Sequence, residues 1–100
     1  MVVGVCRLDI FLPGEHSLKG KRKVLKSLIG RVRSKFNVSI AEVSANELWQ
    51  RAHIGICLVG NDKRFINGAL DKMLDFVEDT NLVEVIGVER EFLSFKYHEG

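Results

Sequence analysis

Hydrophobic positions along the chain repeat with two different periods. From Val2 to Leu12 the period is two: Gly4, Cys6, Leu8, Ile10 and Leu12 fall on one side, and Val3, Val5, Arg7, Asp9 and Phe11 on the other. That alternation predicts a strand, which Pro13-Gly14 ends. Ser17 is placed to cap a helix in which Leu18, Leu25, Leu28, Ile29, Val32 and Phe36 lie within about 60° of one meridian. A short strand follows over Asn37 to Val43, then a turn over Ser44 to Leu48 and a strand over Gln50 to Val59, with Ile54, Ile56 and Leu58 on one face. Gly60-Asn61-Asp62 opens a second helix, whose apolar face is Phe65, Ile66, Ala69, Leu70, Met73, Leu74 and Val77. Leu82 to Tyr97 alternates loosely and predicts a last, long strand.

The order is βαββαβ. Two interleaved βαβ crossovers put both helices on one face of an antiparallel sheet in the order 4-1-3-2. This is an α+β, ferredoxin-like domain, expected to span residues 1–100 as one unit. One hundred residues suffice for a single core without disulfide or metal staples, and 46% hydrophobic content is ordinary for a globular chain. No apolar run approaches the roughly 20 residues of a bilayer span. Arg7 and Asp9 interrupt the N-terminal apolar stretch, unlike a signal peptide, so a cytoplasmic location is expected.

Charge adds what periodicity does not. The formal net charge is only +2, yet Lys19, Lys21, Arg22, Lys23, Lys26, Arg31, Arg33 and Lys35 lie between residues 17 and 36 with no acidic residue among them. Residues 71 to 91 carry Asp71, Asp75, Glu78, Asp79, Glu84, Glu89 and Glu91 against Lys72 and Arg90. On the first helix Lys19, Arg22, Lys23, Lys26 and Arg33 form a stripe beside the apolar one. Gly20, Ser27, Gly30 and Ser34 make a strip of small residues along its edge. Two helix-interior glycines cost about 1 kcal/mol each relative to Ala, and cations in the first turns oppose the helix dipole. The pattern points to an anionic partner approaching closely.

Other chemistry is thinly represented. His16, His53 and His98 have no metal-ligand spacing, so neither a metal nor another cofactor is expected. Ser17 with His16 and Asp9 has the atoms of a triad, but Ser17 is accounted for as a cap. Cys6 and Cys57 fall in neighbouring strands on opposite faces and are expected to remain free thiols, buried or half-buried. Gly60-Asn61-Asp62-Lys63 is read as a plain cap, and Trp49 as either a core cover or a partner anchor. The sheet face away from the helices offers Val3, Val5, Arg7, Asp9, Arg51, His53, Gly55 and Cys57, none of them aromatic. A sheet that stacks RNA bases is thereby excluded.

The run from Ser17 to Leu28, the segment Phe36 to Val43 and the segment Leu48 to Ala52, in that order, resemble the YlxP-like family of small bacterial proteins. The resemblance implies a ferredoxin-like fold and no established activity. The family's genes often neighbour those of a transcription factor, a translation initiation factor and ribosome-binding factor A. Relatives often carry Glu where this chain has Gly20, which implies a less fully capped and more open helix start here.

Two functions are therefore expected. One is a non-enzymatic RNA- or ribosome-associated factor contacting phosphates through Lys19, Arg22, Lys23, Lys26 and Arg33. The alternative is a homodimerising interaction module with no nucleic-acid role. Pairing is expected through the uncovered sheet face, at Val3, Val5, Arg7, Phe11, Glu89 and Glu91, or through the edge beside the last strand, with Arg7 meeting a carboxylate from Glu89 or Glu91. No convergent nucleophile, base and oxyanion donor suggests an enzyme.

Overall fold

The computed structural model describes residues 1–44 and 48–96. Its elements are β1 (Val2–Phe11), α1 (Leu18–Lys35), β2 (Ser39–Glu42), β3 (Arg51–Gly60), α2 (Lys63–Asp79) and β4 (Glu84–Ser94). The strands form one antiparallel sheet in the order β2-β3-β1-β4, the expected arrangement. Tyr97 and His98, and part of the turn after β2, lie outside the described residues.

The alternation of β1 sorts its side chains as the sequence suggests. Cys6, Leu8, Ile10 and Leu12 are buried beneath the helices with Ala52, Ile54 and Ile56 of β3. Gly4 is obligatory for another reason: α2 crosses so near that a Cβ there would collide with the Ile66 side chain. Ser17 caps α1, its Oγ accepting from the Gly20 amide at 3.0 Å. Asp62 caps α2 by accepting from the Arg64 amide at 2.9 Å. That bond places a carboxylate on the α2 N-terminus, the plain cap expected from the sequence.

Leu25, Leu28 and Val32 of α1, with Ile66, Leu70, Met73 and Val77 of α2, complete the core. The two helices also meet at their far ends, where Phe36 and Phe76 pack edge to face with centroids 5.6 Å apart and Lys35 lies over the Phe76 ring. Two apolar positions depart from expectation. Leu18 is exposed at the first turn, and Phe65 is 70% exposed. Leu18 is the first residue of α1, and Phe65 stands about 100° round α2 from its buried neighbour Ile66, off the stripe that Leu70, Met73 and Val77 continue.

The β1–β4 register shifts between Asp9 and Ile10: Asp9 faces Gly87, whereas Ile10 faces Val85, leaving Ile86 as the extra residue. A Cβ at Gly87 would stand 2.9 Å from an Asp9 carboxylate oxygen, so glycine makes room for that side chain. β1 is also joined to the end of β4 through Met1, whose carbonyl accepts from the Phe95 amide at 2.8 Å.

Candidate nucleic-acid interface

The outward face of α1 follows from its inward one. Once Leu25, Leu28 and Val32 are pinned to the sheet, Lys19, Arg22, Lys23, Lys26 and Arg33 must project to solvent, and all five are exposed. Among the described residues no carboxylate lies within ion-pair distance of any of them. Arg33 is partly committed, since its guanidinium donates to the Ile40 carbonyl of β2 at 3.0 Å. Arg31, not singled out in the sequence, is exposed on the same helix.

The strip of small residues is only partly open. A Cβ at Gly30 would meet nothing within 4 Å, whereas one at Gly20 would collide with the Glu15 carboxylate. The expected openness of the helix start is thus filled from the preceding loop, and the Ser17 cap bond is made.

Lys21 behaves differently from its neighbours. It occupies an inward position of α1 and is only 3% exposed. Its ammonium donates to the Leu48 carbonyl at 3.1 Å and lies 3.6 Å from the Glu42 carboxylate. The spacing 18, 21, 25, 28, 32 marks this position as inward in the sequence, but residue type alone hides it among the basic stripe.

Lys21 fastens α1 to the segment leading into β3, and beside that segment lies a hollow of about 520 Å³. Phe11, Glu15, His16, Leu48, Trp49, Gln50 and Arg51 line it. Trp49 is 49% exposed, which makes it a rim residue of this hollow rather than a cover for the core.

The opposite face of the sheet carries the residues expected at a pairing surface. Register places Val5 beside Cys57 and Glu91, and Arg7 beside Gly55 and Glu89. Val3 and Phe11 lie on the same face, partly exposed. Arg7 meets Glu89 at 2.9 Å within its own chain and approaches Asp9 at 3.6 Å; His53 lies 3.2 Å from the same Asp9 oxygen. That oxygen is shut off from solvent, and neither the Arg7 guanidinium nor the His53 imidazole reaches it in hydrogen-bond geometry. Next to this polar centre is an apolar end that residue type alone does not mark, with Val59 66% and Leu93 52% exposed on either side of Val3, and Val5, two residues along β1, 40% exposed.

The two thiols lie on opposite faces, as expected. Cys6 is buried, but Cys57, on the face away from the helices, is exposed rather than buried or half-buried as expected. Burial pushes the Cys6 thiol pKa up, with the Arg90 guanidinium acting weakly against it. Among the described residues no three His, Cys, Asp or Glu side chains gather as a metal-holding group, and no helix is long and apolar enough to cross a membrane.

Four antiparallel strands under two helices in this order define a ferredoxin-like α+β domain. The family model described as "Protein of unknown function (DUF503)" matches residues 3–90, and the chain belongs to that family. It is 34% identical over 83 residues to "Uncharacterized protein YlxP" of Bacillus subtilis (strain 168), covering 83% of this chain and 90% of that protein. Among solved structures it is similar to the de novo designed protein LFR1 1 with ferredoxin fold (TM-score 0.57, 10% identity, 100% and 98% of the two chains covered). It is also similar to the structural-genomics protein YJCS (TM-score 0.57, 10% identity, 89% and 96% covered). At such identities the structural likeness speaks for the fold alone.

Proposed function

We propose that this protein is a non-enzymatic, cytoplasmic RNA- or ribosome-associated factor that contacts phosphates through Lys19, Arg22, Lys23, Lys26 and Arg33. The observation that carries this reading is the exposed basic face of α1, whose cations have no carboxylate partner among the described residues. A surface cation already paired offers little to an incoming anion, whereas an unpaired one releases condensed counterions from a polyphosphate when it docks. The deep, narrow major groove of A-form RNA does not admit a helix. α1 would therefore lie across the backbone and read shape rather than sequence. The gene neighbourhood of the YlxP-like family agrees with such a partner.

Fluorescence anisotropy with a structured RNA over a salt series tests the reading. Log affinity should fall linearly with log salt, and Lys19, Lys23 and Lys26 changed together to Glu should abolish binding. Arg33 belongs in a separate variant, because its bond to Ile40 ties α1 to β2. Absence of binding by the unaltered protein at low salt refutes the proposal.

A second reading is favoured by the apolar end of the open sheet face, where Val5, Val59 and Leu93 stand exposed together. We propose that a second copy of the chain covers this face. Its polar centre carries both signs, with Arg7 against Glu89 and Asp9, so a two-fold rotation presents it with complementary charges. A partner of one charge sign would be repelled by half of it. Val59→Glu with Leu93→Glu should turn a dimer into a monomer in analytical ultracentrifugation. A wild-type monomer at high micromolar concentration ends this reading.

A further inference from the structure

We propose that the hollow beside Trp49 is a subsite for one unpaired base of a bound RNA strand, an inference that rests on the reading of α1 given above. The open sheet face has no aromatic platform at its centre, so base stacking would need another surface. The hollow has one: the Trp49 indole, half in water, and the Phe11 ring at the end of β1. Its volume of about 520 Å³ lies within the range of small-ligand pockets and accommodates a nucleoside.

Its polar lining suits a base better than a phosphate. The Gln50 amide, Arg51 guanidinium and His16 imidazole supply donors and acceptors for a base edge. Glu15 lines the same hollow, where its carboxylate would repel a phosphate but accept from an exocyclic amino group.

Position links the hollow to the basic helix. Glu15 and His16 immediately precede the Ser17 cap, and Lys21 in the first turn of α1 holds the Leu48 carbonyl on the hollow's wall. A strand whose phosphates follow Lys19, Arg22 and Lys23 toward the start of α1 arrives at Trp49. There an unpaired nucleotide can turn its base inward, while a fully paired one cannot.

Trp49 is the chain's one tryptophan, so its emission reports this site alone. The unaltered protein is titrated with an RNA hairpin bearing an unpaired loop, a blunt duplex of the same stem, adenosine 5′-monophosphate and polyglutamate, with anisotropy followed in parallel. The hairpin should quench Trp49 and the duplex should not. Trp49→Ala should weaken hairpin binding roughly tenfold, a typical loss for one stacked base, with the salt slope unchanged. Trp49→Phe should restore most of that loss.

Hairpin binding with unchanged Trp49 emission overturns the subsite and leaves the basic-helix reading standing. Equal quenching by polyglutamate also overturns it. Quenching by the mononucleotide without binding of either RNA refutes both readings, because the subsite is proposed for a base of a bound strand. Silence in every titration refutes both.

Discussion

Lys21 offers a sharp test of the packing described here, because its stem and its charged head can be removed separately. The stem is buried against the inward face of α1, and the ammonium donates to the Leu48 carbonyl and approaches Glu42. Lys21→Met keeps most of the stem and deletes the head. A hydrogen bond to a charged group contributes about 1.5–3 kcal/mol. Leu48 and the Glu42 side chain are solvent-accessible enough to regain water, so the expected loss is at the low end, about 1–2 kcal/mol. Lys21→Ala also strips three buried methylenes at about 0.8 kcal/mol each, for a total of about 3–5 kcal/mol. At roughly 4–8 °C per kcal/mol for a domain of this size, the alanine variant should melt at least about 12 °C lower. Urea unfolding at 25 °C measures both variants, with Lys19→Ala as an exposed control expected within about 0.5 kcal/mol of wild type. A Glu42→Gln cycle should give a coupling below about 1 kcal/mol, because that carboxylate is screened by solvent. If Lys21→Ala costs no more than the Lys19 control, Lys21 is not buried and the attachment of Leu48 to α1 is wrong.

Two further outcomes follow from the same structure. Gly30→Ala adds a methyl group into open space and should stabilise α1 by about 1 kcal/mol in thermal melts. A simultaneous loss of RNA affinity would show that the partner's backbone approaches this spot. Cys6 has a raised thiol pKa in the fold, so its contribution is fully present below the unfolded thiol pKa. It is lost as pH rises above that value, where the unfolded chain releases the proton first. Wild type should therefore lose more stability than Cys6→Ala between about pH 8.5 and 10, and parallel curves for the two proteins would refute this.

The fold was legible because both hydrophobic periods are clean. Cys6, Leu8, Ile10 and Leu12 could be assigned to one face without knowing what covers it, and the strand order followed from the rules of connection. Element ends were less legible. Leu18 matches the helical stripe yet is exposed as the first residue of α1, and Phe65 flanks the buried stripe of α2 rather than lying on it, which an apolar residue type alone does not reveal. Lys21 illustrates another limit, since position and residue type disagree there and long-range contacts with Leu48 and Glu42 decide the outcome. The basic face was visible because each of its residues lies on one helix. The Trp49 hollow was not, because it is assembled from the end of β1, the loop before α1 and the segment entering β3. The Val59–Leu93 patch was missed for a similar reason, as it depends on register across three strands.

The central place of β1 has a consequence for how the chain is made. The first strand of this sheet to be made, β1, is flanked in the finished sheet by β3 on one side and by β4, the sheet's last strand, on the other. At bacterial or eukaryotic translation speeds, some five to fifteen seconds separate the synthesis of β1 from that of β4. Throughout that interval β1 has a bare edge, and Leu8 and Ile10 lack part of their cover. A nascent chain in this state is a substrate for chaperones and for mispairing with its neighbours on a polysome. Silent codon changes that slow passage through residues 63 to 84 should therefore raise the insoluble fraction of the newly made protein, although they alter no residue of the finished molecule.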